Sequence, residues 1–281
     1  MKVSISVLTY NSSEVISECI DSIQFNLSNK IEYEINVLNN GSSDNTKEIV
    51  LSKKGNINYY ENVKNESFTK SFNFLLSKSN ADFYCMTSDD IIFQDEIFDY
   101  CSQYYANIKN ELIVLAPKTT LPNNNLDRIN KKELKEKDLL FGFTIVGNLI
   151  NYSTSGLNQS ESVNAEVLQD SCLFFSNAVK PSFVFNEKLK FYFTEDALAK
   201  DLLNKNYFLK YDTNINVKHY LKVGTKKSKN IKMNLIYFKD CIMYSSIYSN
   251  KLFHYFLFIP LIYLTIFLKY IKWKLNPEHY V

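Results

Sequence analysis

Tyr84-Cys85-Met86-Thr87-Ser88-Asp89-Asp90-Ile91-Ile92-Phe93 is the stretch on which the fold reading turns. Apolar residues run from Phe83 to Met86, stop at two adjacent carboxylates, and resume at Ile91, Ile92 and Phe93. A short apolar run between polar residues reads as a buried strand, and an α/β sheet presents functional groups at the end of such a strand. Adjacent carboxylates repel, so the pair needs a cation nearby or open solvent. Taken alone, the stretch fits a blander reading equally well, with Asp90 capping a following helix and Asp89 solvated.

Upstream, Val3-Ser4-Ile5-Ser6-Val7-Leu8 alternates small polar and branched residues and stops at Thr9-Tyr10-Asn11. Ser12 and Ser13 are N-cap candidates, Glu14 suits the positive end of a helix, and Ile16, Ile20 and Ile23 follow at helical spacing. Glu34-Ile35-Asn36-Val37-Leu38 reads as a second strand. It runs into a turn-rich loop over residues 39–46, ahead of a helix carrying Ile49, Val50 and Leu51. Residues 57–60 read as a third strand and 68–76 as a helix. Strands separated by helix-length segments imply βαβ units and a mainly parallel sheet. Ligands of such sheets bind beyond the carboxyl ends of the strands. The loops at Thr9-Tyr10-Asn11, Asn39-Asn40-Gly41 and Ser88-Asp89-Asp90 are therefore expected to share one crevice. Neither a dinucleotide-binding glycine signature nor a P-loop occurs, which argues against a nicotinamide dehydrogenase and a P-loop nucleotidase.

The 281 residues can bury a large core, and a net charge of +2 supplies no basic field for nucleic acid. The five cysteines (Cys19, Cys85, Cys101, Cys172 and Cys241) are odd in number and show no CxxC spacing. They argue against a disulfide framework or a zinc site and point to a reducing compartment. From Met1-Lys2 the chain passes straight into a strand-like run, with no signal-peptide pattern.

Together these pieces resemble glycosyltransferase family 2, the inverting enzymes with the GT-A fold. The resemblance is carried by Val7-Leu8-Thr9-Tyr10-Asn11, by residues 40–46 and 65–73, and by Thr87-Ser88-Asp89-Asp90, in that order and spacing. It implies an α/β GT-A fold, a Rossmann-like, mainly parallel mixed sheet flanked by helices. Residues 1–221 would form that domain, with 1–93 as the nucleotide-sugar-binding half and 94–221 as the acceptor and catalytic half. Residues 222–281 would be a C-terminal helical, membrane-associating region. The resemblance further implies donor contacts from Thr9, Tyr10, Asn11, Asn39, Lys70 and Ser88, and a metal on Asp89 at the family's DxD position. Three residues depart from the pattern. Asn39 stands where an Asp usually recognises the pyrimidine base, Thr87 replaces the first Asp of the DxD, and Ser67 stands where Gly is common.

Further on, residues 112–117 read as another buried strand and 119–137 as an exposed excursion. Residues 139–150 are apolar and 151–166 polar, and the resemblance places this middle region on the acceptor side. The aromatic run Phe191-Tyr192-Phe193 leads into Glu195-Asp196, which opens a helix with Thr194 as the expected N-cap. On the residues alone, the acidic pair need only complement the helix dipole. The segment resembles the family's Glu-Asp element, which implies Asp196 as the general base and Glu195 as its support or an acceptor contact. Residues 207–211 read as a strand, followed by Val217-Lys218-His219-Tyr220. A lone histidine is more often structural; the resemblance makes His219 the second metal contact. Oxygen ligands and a diphosphate favour Mg²⁺ or Mn²⁺, and imidazole favours Mn²⁺.

A basic stretch (Lys222, Lys226, Lys227, Lys229, Lys232) precedes a helix-like segment over residues 234–248. Residues 252–268 carry no charged side chain apart from His254, have Pro260 in their middle, and are closed by Lys269, Lys272 and Lys274. A bilayer core needs about 20 apolar residues, and lysines on both sides give no orientation. Three readings stand for 251–274: an in-plane or re-entrant membrane helix, a single span, or a soluble packing helix.

The resulting expectation is metal-dependent, inverting transfer of a hexosyl or deoxyhexosyl group from a UDP- or dTDP-sugar to a saccharide or lipid-linked acceptor. The ED-to-His arrangement and tail resemble rhamnosyltransferase-like members. That implies surface-polysaccharide synthesis, such as O-antigen or capsule, on the cytoplasmic side of the inner or plasma membrane. The departures at Asn39 and Thr87 also fit a nucleotide-sugar-binding protein without catalysis, and a third reading is a membrane-anchored scaffold whose sheet serves only as a platform.

Overall fold

The computed structural model describes the chain except residues 28–30, 95, 109–111, 126–129, 132, 145, 147–161, 170, 221–230 and 276–281. The expected alternation is present: β1 (Lys2–Thr9), α1 (Ile16–Phe25), β2 (Glu32–Asn39), α2 (Thr46–Ser52), β3 (Ile57–Glu61), α3 (Phe68–Lys78) and β4 (Phe83–Ser88). Next come β5 (Ile91–Phe93), α4 (Ile97–Asn107), β6 (Ile113–Thr120), β7 (Asn130–Lys131), α5 (Glu136–Phe143), β8 (Val163–Asn164), β9 (Val167–Leu168) and β10 (Cys172–Ser176). The chain continues through α6 (Thr194–Leu203), β11 (Phe208–His219) and α7 (Ile231–Tyr248). A π-helical segment, Phe253–Phe258, then leads into α8 (Ile259–Leu275).

The main sheet runs β3-β2-β1-β4-β10-β6-β11-β5, with β8 beside β11; β7 and β9 pair separately. β3, β2, β1 and β4 are mutually parallel. β10 is antiparallel to both β4 and β6, and β11 is parallel to β6, so β11 points the same way as β4. Thr9 pairs in register with Asn39, and Leu8 with Ser88. The carboxyl ends of β1, β2 and β4 therefore finish level, and the end of β11 reaches the same edge.

The side-chain period of two sorts β4 cleanly. Phe83 and Cys85 join a core with α1 and α4, while Tyr84 and Met86 join a second core with α3 and α6. Buried polar side chains pair along the sheet: Asn36 Nδ2 donates to Ser4 Oγ of β1 at 3.0 Å, and Asn36 Oδ1 accepts from Asn58 Nδ2 at 3.0 Å. A third core joins Leu139 of α5, Leu189, Phe193 and Ala197 to Phe238, Cys241 and Tyr244 of α7 and to Phe258 and Ile262. The C-terminal helices thus share a core with the acidic helix α6. All five cysteines are buried free thiols.

Several local expectations are corrected. Asp90 caps no helix, because Ile91–Phe93 forms a strand paired with β11. Helix α1 begins at Ile16 with Val15 at the cap position and no side-chain cap; the Ser12 carbonyl, not its hydroxyl, accepts the Val15 and Ile16 N–H groups. Thr194 is the first residue of α6 rather than its cap; the cap position belongs to Phe193. β11 runs well past residue 211, with a register shift between Asp212 and Asn216. Pro260 lies inside a continuous helical stretch, two residues past the end of the π-helical segment Phe253–Phe258. Lys222, Lys226, Lys227 and Lys229, and most of the 151–166 segment, lie outside the described residues.

The second core is organised by aromatic stacking. Phe175 is fully buried between the ring of Tyr84 (centroids 5.3 Å apart) and that of Phe183 (3.9 Å). Phe175→Ala is expected to lower the unfolding free energy by about 3–5 kcal/mol in urea titration, the cost of a large unfilled core site. A loss below about 1 kcal/mol would show that the stack contributes little.

Candidate active site

The site is built from the turn at the end of β4 upward. Asp89 is 3 % exposed. Its Oδ2 accepts the Tyr10 backbone N–H at 3.2 Å and the Ser12 hydroxyl. Asn11, between those two donors, takes a left-handed backbone (φ 48°), which asparagine tolerates well. Its N–H donates to Ser42 Oγ at 2.9 Å, and its Oδ1 accepts from the Ser43 N–H at 2.8 Å. The loops after β1, β2 and β4 are therefore knitted together, as their strand ends require.

Two asparagines close the β2 exit. Asn39 accepts the Ser42 N–H through Oδ1 (3.0 Å) and donates through Nδ2 to the Tyr59 hydroxyl (3.0 Å). Each end of a carboxamide has capacity for one further bond. Asn40 is saturated: Nδ2 donates to Asn65 Oδ1 and Glu66 O, and Oδ1 accepts from Asn62 Nδ2 and the Glu66 N–H. It ties the β2 loop to the segment that enters α3. Asp44 accepts from the N–H groups of Ser13 and Thr46 and from the Thr46 hydroxyl. Burial alone would raise its pKa, but these bonds outweigh it and bring the carboxyl down to about 2.

Around this floor, the Tyr10 side chain is 41 % exposed at the crevice rim. Thr9 Oγ1 is buried with no hydrogen-bond partner among the described residues. The Lys70 ammonium is exposed in the first turn of α3, 3.3 Å from Glu66. Ser88 ends β4, half-buried, with its N–H donating to Ser171 O at 2.9 Å. Thr87 is fully buried, and its hydroxyl donates to Ser88 O.

His219 meets the second carboxylate of the turn. Its Nε2 lies 3.4 Å from Asp90 Oδ2, across the antiparallel pairing of β11 with β5. Asp89 is thus the loop anchor, and Asp90, expected only as a cap, is the imidazole's partner. A carboxylate oxygen and an imidazole nitrogen at this separation suit neighbouring positions around one hard divalent ion. Among the described residues no three His, Cys, Asp or Glu side chains surround such an ion. The donor set fits an ion whose remaining positions are filled by substrate phosphate and water, as Mg²⁺ sites commonly are.

The segment that precedes the acidic pair is tied to the same edge through α3. Helix α3 follows β3, so its first turn lies at the carboxyl end of the sheet. There the Phe68 N–H donates to Lys190 O (3.0 Å) and the Thr69 hydroxyl to Leu189 O (2.7 Å). Residues 189–192 lead to Phe193 in the left-handed region (φ 60°), then to Glu195, half-buried, and Asp196, 5 % exposed, in the first turn of α6. A left-handed non-glycine residue costs on the order of 1–2 kcal/mol, so surrounding contacts must hold it. They include Asp240 of α7, whose Oδ2 accepts the N–H groups of Lys190, Phe191 and Tyr192. Sequence reasoning missed Asp240, Ser12 as a donor to Asp89, and Asp90 as the partner of His219. The signal available for the first was that Asp240 is the one acid in the sequence of α7, beside Lys232 and Lys239.

Comparison with known proteins supplies the frame. The family model described as glycosyl transferase family 2 matches residues 4–160. A comparison with curated protein sequences finds no match. Among solved structures, GalNAc-T7 with UDP, GalNAc and Mn²⁺ superposes with a TM-score of 0.66 at 9 % identity, covering 89 % of this chain and 48 % of that one. TarS from S. aureus superposes at 0.55 with 18 % identity, over 79 % and 37 % of the two chains. Its 1–349 portion in complex with UDP-GlcNAc gives 0.58 at 16 % identity, over 82 % and 61 %. The chain spans less than two thirds of the length of each of these structures. At such identities the likeness establishes the fold.

The lowered pKa of Asp44 carries a pH dependence with a defined sign. Its folded value of about 2 lies below the ordinary 3.8, so its stabilisation is complete above about pH 4 and is lost as pH falls through about 2. Asp44→Asn is expected to cost about 1–2 kcal/mol at pH 7 by chemical denaturation, allowing for solvent screening, with the difference from wild type closing toward pH 2. A pH-independent difference would assign the effect to lost geometry instead of charge.

Proposed function

Because this chain belongs to glycosyl transferase family 2, we propose that it moves a glycosyl group from a nucleoside-diphosphate sugar to an acceptor hydroxyl with inversion at the anomeric carbon. The observation that carries this reading is the meeting of four strand ends, those of β1, β2, β4 and β11, at one edge furnished with carboxylates, an imidazole and a lysine. The UDP-bound neighbours support a uridine donor, and dTDP has the same pairing edge.

In this reading the nucleoside lies over the β1 and β2 exits, against Thr9, Tyr10, Asn11 and the spare bonding positions of Asn39. Lys70 and Ser88 face the diphosphate. The Asp89-Asp90 turn and His219 would hold Mn²⁺ or Mg²⁺, which when bound offsets the charge of the leaving diphosphate. The acceptor oxygen attacks the anomeric carbon as the bond from that carbon to the phosphate oxygen breaks, and the nucleoside diphosphate leaves with the electron pair. The acceptor proton passes to the Asp196 carboxylate. A carboxylate suffices because the hydroxyl acidifies only as the new bond forms. Glu195 orients Asp196 or the acceptor. The acceptor would be a saccharide or lipid-linked saccharide of a surface polysaccharide such as O-antigen or capsule, and the transferred unit a hexose or deoxyhexose. The domain would span 1–221, followed by the helical region 222–281.

The C-terminal helix supports work at the cytoplasmic membrane surface. Phe253–Ile271 is long and apolar enough to cross a bilayer, with 22 % of its most apolar window buried. Its inner face packs Phe258 and Ile262 into the third core. Tyr255, Phe256, Tyr263, Leu264, Phe267 and Tyr270 face outward, at 45–78 % exposure. A helix with one face in a protein core and the other open and aromatic suits an in-plane position better than a lone span.

Two experiments test these readings. A panel of nucleotide sugars with Mn²⁺ and lipid-linked acceptors should identify a consumed donor; Asp196→Asn should keep nucleotide binding and lose transfer by about 100-fold or more. Nucleotide binding without turnover of any donor would favour the non-catalytic reading, and neither binding nor turnover the scaffold. Phe256→Ser with Phe267→Ser should weaken flotation with anionic vesicles by about tenfold or more per residue. Undiminished flotation of the double variant would contradict membrane docking through this face.

A further inference from the structure

One oxygen, Asp240 Oδ2, accepts three successive backbone N–H groups: Lys190 at 3.0 Å, Phe191 at 2.9 Å and Tyr192 at 3.0 Å. Asp240 is 2 % exposed, and among the described residues it has no ion pair. Consecutive N–H groups aimed at one point form an anion-binding concavity, here filled by the protein's own carboxylate. The carbonyls of the same segment are held from the opposite side, Leu189 O by the Thr69 hydroxyl and Lys190 O by the Phe68 N–H. The segment is thus clamped between α3, which carries Lys70, and α7, which packs against the apolar C-terminal helix.

The acidic pair lies immediately beyond this clamp. Phe193 turns the chain through its left-handed conformation, and Glu195 and Asp196 stand two and three residues past it. The face of α7 that carries Asp240 also packs Tyr237 and Tyr244 on Phe193, with ring centroids at 5.7 and 5.5 Å. Residues 237, 240 and 244 fall at helical spacing, so one stripe of α7 supplies both the hydrogen bonds and the packing.

We propose that Asp240 is a positioning residue for Glu195-Asp196, and that the C-terminal helices are consequently a wall of the transfer site as well as a membrane contact. The proposal rests on the glycosyltransferase reading above. Removing the carboxylate strips three N–H groups of a charged acceptor and frees the turn that delivers Asp196. Because proton transfer needs hydrogen-bond reach, a displacement of about 1 Å costs transfer about 100-fold while leaving the nucleotide floor untouched.

The test uses the full chain as wild type, Asp240→Asn and Asp240→Ala, with three readouts: hydrogen exchange by peptide, Mn²⁺-dependent UDP binding, and transfer kinetics against pH. Asp240→Asn should exchange faster over residues 189–197 but not over 10–12 or 42–46. It should bind UDP within about twofold of wild type, lose about 10- to 100-fold in kcat, and shift the acid limb of the kcat profile. Transfer within twofold of wild type with an unmoved acid limb would overturn the proposal. So would unchanged exchange at 189–197, or a rise spread over the whole chain, which marks a general packing role. If the alanine variant fails to fold, the isosteric asparagine variant decides. If wild type binds no UDP and transfers nothing, the glycosyltransferase reading falls by itself, and the exchange pattern still decides whether Asp240 holds the turn.

Discussion

A carboxylate buried at the end of a central strand is costly unless donors are brought to it. Asp89 is in that position, and the donors come from the exit of β1: the Tyr10 N–H and the Ser12 hydroxyl. Meeting them bends the chain through left-handed Asn11, which then engages Ser42 and Ser43 in the β2 loop. Asp44 returns the connection to Ser13 and Thr46. The floor of the crevice is a closed hydrogen-bonded circuit before any ligand arrives. Preorganised polar groups of this kind need not reorganise when charge develops above them.

The same logic of a buried acid met by backbone N–H groups recurs where Asp240 meets the 190–192 segment. The two devices differ in origin. The first is internal to the βαβ half, whereas the second reaches across from the C-terminal helices. The third core, shared by α5, α6, α7 and α8, gives that reach its rigidity. An apolar helix that would otherwise be a detachable anchor is joined by its inner face to the turn that carries Glu195 and Asp196.

Much of the fold was legible along the chain. Period-two alternation marked β1 and β2, short apolar runs marked β4 and β6, and turn-rich breaks marked the crevice loops, because all three signals are local. The motif resemblance was sound, and the family match and GT-A likeness agree with it. The errors cluster at caps. Ser12 looked like a helix cap because a serine ahead of an apolar-periodic run usually is one, yet the helix starts with Val15 at the cap position and the Ser12 hydroxyl donates to a buried carboxylate. Asp90 looked like a cap because Ile91-Ile92-Phe93 has no periodicity long enough to separate strand from helix; pairing with β11 settled it. Thr194 lost the cap position to Phe193, whose left-handed backbone no local pattern announces.

What the sequence by itself determined was the order of strands and helices, the edge at which functional loops gather, and the family to which the chain belongs. Each depends on neighbours within a few residues or on motifs read in order. Only the tertiary structure decided which partners each acid meets. Ser12 and Asp89 are 77 positions apart, and Thr69 and Leu189 are 120 apart. An aspartate is a loop anchor or an imidazole's neighbour according to the groups that folding brings to it, and those groups come from strands and loops with no sequence proximity to it.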